Sequence, residues 1–491
     1  MFYSARFILI LFSVSLLFAS VSAGQSAETA KTPEARINSI IAESESSGAV
    51  WSMAVRSPEN QLVLNVHADR LQRIASNSKL FIVAALMQEP GVEHRLETQL
   101  YGDGYLDNEG IWHGDLHFKG AGDPSFDKHF YDSGPFTAFD SFIDQIKAAG
   151  IQEVRGNIFG NIRLFDDQPY PSGWEWNDLS FYYAPELSAL SFNGNCVDLS
   201  VQAGGEIGDR PEISWFPYDT DYVQFVNEQR ITPENISYNE SYERILGSNT
   251  ILLRSTLPQG YLETECLSVA DPAGYFLDSF RKHAARNGVL HQGSLIVDRI
   301  RRPWEEYRLL ASHRSEPLLM MLERVNKKSD NLYAEMLTKV LSAQRFGHEG
   351  STESGLELIK GILRQETQID TSRVQLRDAS GMSSANISNA YVISSLLHNM
   401  YYSEQRQDWL STLPLAGHSG SIRHRFLRSP LYGNLYAKTG FITGVRTLSG
   451  YFTAQSGRVY SFSLLTNNYL SKTKVIDQLH EQILNELYEM L

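Results

Sequence analysis

Cysteine is almost missing from this chain: 491 residues hold two, Cys196 and Cys266. They form no C-x-x-C pair, and no H-E-x-x-H run occurs. Neither a structural nor a catalytic zinc site has support, and no cofactor is expected. Positive charge is also scarce. Lys and Arg number 43 against 57 Asp and Glu, a net charge of −14. That excludes nucleic acid as a main partner, since phosphate binding needs a basic field. Internal repeats and low-complexity runs are absent as well.

What remains is ordinary for a globular protein: 42% hydrophobic and 20% charged residues, in a chain long enough for two to four domains. The N-terminus carries an export signal. Arg6 precedes the apolar stretch Phe7 to Phe18, and Val21-Ser22-Ala23 offers small residues for cleavage, so residues 1–23 read as a signal peptide. The apolar core is short for a bilayer-spanning helix, and an uncleaved anchor is the alternative. The expected location is the periplasm or another extracytoplasmic cell-wall space. There Cys196 and Cys266 either form one disulfide or remain two buried thiols.

Along the chain, residues 34–45 predict a short helix, and residues 49–56 and 61–67 a hairpin around Ser57-Pro58-Glu59-Asn60. A helix beginning near Ser76 follows. Residues 91–289 change texture: short strands alternate with Gly, Asp and Asn turns, and one helix spaces Phe136, Phe139, Ile143 and Ile146 on a face. This region predicts a β-rich insertion of one or two subdomains. Helices are expected at residues 274–286, 317–325 and from Ser329, then a hairpin around Gln455-Ser456-Gly457-Arg458. The last helix spaces Val475, Leu479, Ile483 and Leu487 on one face, for docking on a sheet or for peripheral membrane contact. Residues 34–90 and 290–491 thus predict two halves of one α/β domain.

Three short motifs carry chemistry. Ser76 and Lys79 stand three apart before an apolar run, so on a helix they share a face at its first turn. Free backbone N–H groups there favour developing negative charge. Ser329-Asp330-Asn331 and Lys438-Thr439-Gly440 come later. Each alone is cheap: a capping serine, a helix cap, a strand end. The order S-x-x-K, S-D-N, K-T-G is the signature of penicillin-binding proteins and class A β-lactamases.

Here the sequence resembles the class C low-molecular-mass penicillin-binding proteins, D-alanyl-D-alanine carboxypeptidases/endopeptidases with a large insertion after the nucleophile helix. The likeness extends to Gly120-Ala121-Gly122-Asp123-Pro124, Gly173-Trp174-Glu175-Trp176-Asn177-Asp178, Asp378-Ala379-Ser380-Gly381-Met382-Ser383 and Leu413-Pro414-Leu415-Ala416-Gly417. The 253-residue interval from Ser76 to Ser329 favours this family over a β-lactamase. The resemblance implies a transpeptidase-like α/β fold, an antiparallel sheet with helices on both faces. It implies peptidoglycan stem peptides as substrate and β-lactams as covalent inhibitors.

Residue by residue, Ser76 would attack the D-Ala-D-Ala carbonyl and form an acyl-enzyme. Burial and the charge of Lys438 would drive Lys79 toward its neutral, basic form. Ser329 would relay a proton to the leaving amine, and Asn331 would hold the substrate amide. Lys438 and Thr439 suit the terminal carboxylate. Gly440 lets the substrate backbone approach, and the N–H groups of Ser76 and Phe441 map to the oxyanion hole. Ser380 joins the substrate-binding set. By resemblance Asp178 meets the free ammonium of the peptide's diamino acid; otherwise it is a solvated loop aspartate. Ser384 and Thr443 stand where some relatives carry Arg and Gln, which leaves side-chain specificity open. A β-lactamase or esterase on the same scaffold, and a silent cell-wall binder, are the competing readings.

Overall fold

The computed structural model describes residues 32–491, apart from 47, 129, 132–133, 218–219 and 348. The expected signal peptide, residues 1–23, lies outside the described residues. Among them no helix is long and apolar enough to cross a membrane.

One antiparallel sheet of five strands organises the catalytic half. Its order is Leu62–Val66, Val50–Arg56, Val459–Asn467, Val445–Thr453, Leu435–Ile442. The first and last parts of the chain meet here. Strand alternation sends side chains to two cores. Met53, Val55, Leu448 and Leu464 face helices Pro33–Ala42 and Thr473–Met490. Ala54, Tyr451 and Leu465 face the helices of the other side. The final helix buries Ile476, Leu479, Ile483, Leu484 and Leu487 against the sheet. Its apolar face is therefore spent on docking, and the peripheral membrane contact loses its basis.

Helix Ser78–Leu86 is apolar all round, and all nine residues are buried. Such a helix is stable only inside a core. It packs among Leu318–Lys327, Asn331–Phe346, Thr352–Glu366 and Ala390–Tyr401.

The insertion is β-rich, with a mixed seven-stranded sheet and two helices, Thr137–Ala148 and Pro272–Arg286. Three small sheets are built from residues 196–268. One continuous apolar cluster spans both parts, so they share a core. The expected return to the catalytic domain at residue 290 comes too early. Strands Leu290–Gln292, Leu295–Asp298 and Arg308–Arg314 pair with Glu153–Arg155, Ile158–Asn161 and Glu97–Leu106 of the insertion's own sheet. The chain leaves the insertion only near Ser315. Strands of three or four residues carry too little alternation to be read from sequence.

Cys196 and Cys266 lie on neighbouring antiparallel strands, where Cys196 is opposite Ser268 and Cys266 opposite Asp198. Both carry free thiols, and Cys196, with burial, raises the pKa of the Cys266 thiol. The pair is adjacent without a disulfide between them.

Candidate active site

Ser76 stands in a 3-10 turn, Ala75–Asn77, that leads into helix Ser78–Leu86. It is the one residue between 74 and 87 that is not fully buried. Two glycines close on this turn. Gly381 has φ +87°, and a Cβ there would lie 2.1 Å from the Ala75 carbonyl oxygen. A Cβ on Gly440 would lie 3.0 Å from Ser76 N and 2.3 Å from Thr447 Oγ1. Only glycine lets the loop and the strand approach this closely. Ala75 itself has φ 45°, a conformation that costs an alanine about 1–3 kcal/mol.

Lys79 is fully buried. Its Nζ lies 3.2 Å from Ser76 Oγ and 2.7 Å from Asn331 Oδ1, and donates to the Ser380 carbonyl. Burial pushes its pKa down to about 8, against the opposing pull of Asp378, Glu335 and Asp330. Burial, rather than Lys438, is therefore the main cause. A neutral amine has two N–H donors and one lone pair. Asn331 and Ser380 each take a donor, which leaves the lone pair for the Ser76 hydroxyl. The arrangement fits a general base.

Ser329 has φ 59° and precedes helix Asn331–Phe346. The helix cap is Asp330, which accepts from Tyr333 N at 3.2 Å, so Ser329 is free for another role. Its Oγ accepts from Lys438 Nζ at 2.8 Å. Lys438 is fully buried, and its pKa is held well below the ordinary lysine range by burial, by Lys79 and by Arg446. Thr439 Oγ1 donates to Ser421 Oγ at 2.7 Å. Lys438 to Phe441 lie on the edge strand Leu435–Ile442, whose inner neighbour pairs Gly440 with Thr447 and Phe441 with Arg446. The outer edge of that strand is covered near its start, where Ala437 N donates to Pro414 O. Farther along it runs past Ser76, so an extended peptide can add there as a further strand.

The insertion reaches this site at three points. Asn331 Nδ2 donates to the Tyr183 carbonyl at 2.7 Å. Trp174 Nε1 donates to Asp378 Oδ2 at 2.9 Å. Lys339, farther along the helix of Asn331, binds Asp166 and the Gln168 carbonyl at 2.6 and 2.7 Å. Asp178 lies one tyrosine ring away from Asn331, accepting from Tyr183 Oη at 3.3 Å. Burial raises its pKa, partly offset by that hydrogen bond.

Comparison with known proteins agrees with this geometry. Residues 34–486 match the family model described as D-Ala-D-Ala carboxypeptidase 3 (S13). The chain belongs to that family. It is 28% identical over 408 residues to the D-alanyl-D-alanine carboxypeptidase of Actinomadura sp. (strain R39), covering 80% of this chain and 73% of the relative. It is 25% identical over 448 residues to D-alanyl-D-alanine carboxypeptidase DacB of Haemophilus influenzae, covering 88% and 89%. The crystal structure of penicillin binding protein 4 from Haemophilus influenzae superposes with a TM-score of 0.81 at 23% identity, over 92% of this chain and 99% of that one. The S13 chain thus has the penicillin-binding-protein fold and is a serine peptidase by family.

Of the residues named from sequence, Ser76, Lys79, Ser329, Asn331, Lys438, Thr439, Gly440 and Phe441 converge. Ser380 is corrected: its side chain is fully buried, so it offers Lys79 its carbonyl rather than a substrate its hydroxyl. Ser384 and Thr443 are exposed. Sequence reasoning missed Ser421, Tyr183 and Glu335. Tyr183 acts through a backbone carbonyl, which no side-chain motif reveals. Ser421 follows the quoted Leu413–Gly417 stretch and was within reach.

Proposed function

We propose that this chain hydrolyses D-Ala-terminated stem peptides of peptidoglycan through an acyl-enzyme on Ser76, outside the cytoplasm, in the periplasm. The observation that carries the reading is the hydrogen-bonding of Lys79: two acceptors fixed by the protein, and Ser76 Oγ as the third neighbour. Ser76 Oγ attacks the carbonyl carbon of the penultimate D-Ala, and its proton passes to Lys79 Nζ. The oxyanion is received by the N–H groups of Ser76 and Phe441. The C–N bond breaks, and the proton that Lys79 accepted passes by way of the Ser329 hydroxyl to the leaving amine, which leaves Lys79 neutral again. Water then hydrolyses the ester with Lys79 again as base, which restores Ser76. Lys438 beside Ser329, with Thr439 and Ser421, suits the terminal carboxylate of the substrate. A β-lactam carries an amide and a carboxylate in the same relation and is captured as a stable acyl-enzyme. Asp178, on the insertion side, suits the free ammonium of a diamino acid in the stem.

The test is product analysis. The mature protein is incubated with a monomeric pentapeptide and with cross-linked peptidoglycan, and both are followed by mass spectrometry. Loss of one terminal alanine is the expected carboxypeptidase product; conversion of cross-linked dimers to monomers is the endopeptidase product. Ser76→Ala should give neither. Products from Ser76→Ala, or none from the native protein, would contradict the reading.

A further inference from the structure

Glu335 is a buried carboxylate beside the nucleophile to which the mechanism above gives no part. It lies one helical turn after Asn331, on the same face of helix Asn331–Phe346, and is fully buried. Its Oε1 accepts two successive backbone N–H groups, Ala379 at 2.9 Å and Ser380 at 2.8 Å. Two bonds to neighbouring amides on one oxygen fix the peptide between them. The carbonyl of that same Ser380 receives the Lys79 amine. The other acceptor of Lys79 is Asn331 Oδ1, on the helix that carries Glu335.

From this geometry we propose that Glu335 is the positioning residue of the general base. It holds the Ser380 carbonyl at the place where, with Asn331, it occupies both donors of a neutral Lys79 and aims the lone pair at Ser76. The inference rests on the Ser76–Lys79 reading above and adds a residue to it. One helix then controls both acceptors, Asn331 directly and Ser380 through Glu335. The loop is held from its other side by Asp378, which accepts from Gly381 N, Ser383 N and Asn386 Nδ2 at 2.6–2.7 Å. Asp378 holds the peptide unit of the Ser380 carbonyl through Gly381 N, and Glu335 fixes the two units before it through the amides of Ala379 and Ser380.

The charge of Glu335 is not what the task needs. Burial raises its pKa to about 8, with Asp378 adding to the rise and the backbone hydrogen bonds opposing it. Burial thus disfavours its charge, and with it the pull that a carboxylate there exerts on the Lys79 proton. The Ser380 side chain is buried beside it and adds to the interactions that oppose the rise. Glutamine keeps the acceptor oxygen, the length and the neutral state.

The test is the acylation rate per titrated active site, with a fluorescent penicillin, in Glu335→Gln and Glu335→Ala. Counting only sites that label separates a slower base from a smaller folded fraction. Glu335→Gln is expected to acylate within about threefold of native, and Glu335→Ala about 100-fold more slowly, the cost of a base displaced by about an ångström. Noncovalent affinity for the penicillin should stay unchanged in both. If Glu335→Ala does not fold, Glu335→Asp takes its place: it keeps the carboxyl but is one methylene too short to reach both amides, and a loss of about tenfold is expected. An alanine variant with the native rate per site, or a glutamine variant as slow as alanine, would overturn the proposal. A native protein that no penicillin labels would overturn the Ser76 reading, and with it the role of Glu335.

Discussion

The catalytic domain and the insertion contribute to the site in different currencies. Every group proposed to exchange a proton, form a bond, or hold the oxyanion or the terminal carboxylate is a side chain or amide of the catalytic domain: Ser76, Lys79, Ser329, Lys438, Phe441. The insertion supplies a backbone carbonyl at Tyr183, an indole N–H at Trp174 and a carboxylate at Asp178, all at the edge. In the first set Lys79 and Lys438 are fully buried and hydrogen-bonded, and Ser76 and Ser329 are half-buried beside them. In the second, Trp174, Asp178 and Tyr183 are all half-buried, with no fully buried member. On the proposed reading the difference is a division of labour: acyl transfer falls to the sheet and its helices, and recognition of the stem beyond the reacting amide to the insertion.

The division breaks if the insertion proves necessary for acylation itself. The largest effect expected is on the catalytic side. Lys79→Met should lower acylation by penicillin and by peptide alike, by about 1,000-fold or more, within the range of general-base contributions. Stopped-flow labelling measures it; a loss confined to peptide would place Lys79 with recognition instead. The pH dependence sharpens the same side. Lys79 must be neutral to accept the Ser76 proton, and its pKa is lowered from 10.5 to about 8. Acylation should therefore rise with pH from 6 and level off above about 8, rather than climb on toward 10, in a rate–pH profile with a penicillin.

Insertion variants should separate the substrates. Asp178→Ala is expected to weaken hydrolysis of peptides with a free side-chain ammonium by about tenfold, the worth of one charge-assisted hydrogen bond. Acylation by a penicillin without an amine should not change. Parallel kcat/KM measurements decide it; an equal loss on both would erase the comparison. The smallest effect is expected at the thiols. Cys266→Ser alters a strand of the insertion and should leave penicillin acylation within about twofold, measured by the same labelling.

Much of this was legible in the sequence, because the family's chemistry needs side chains at fixed offsets from turns. Ser76 and Lys79 share a helical face, and Lys438 to Gly440 lie along one strand edge, so spacing alone places them. The alternation of Val50–Arg56 and the stripe of Thr473–Met490 likewise announce the sheet and its cover. What stayed hidden works through the backbone or across distance. Tyr183 and Ser380 act by their carbonyls. Glu335 looks like any polar helix residue until the loop of Ala379 folds onto it, 44 positions later in the chain. The insertion boundary was misplaced because Leu290–Gln292 and Leu295–Asp298 are too short to show a period, and their partners lie over 130 residues earlier. Asp330 took the capping role that Ser329 could have filled, which only the structure distinguishes.

The central claim is that Ser76 carries the acyl group, and adduct mapping tests it most directly. The native protein is labelled with penicillin, digested, and the modified peptide sequenced by mass spectrometry. A single penicilloyl group on Ser76, absent from Ser76→Ala, is the predicted result. An adduct on Ser329 or any other residue, or undiminished labelling of Ser76→Ala, would contradict it.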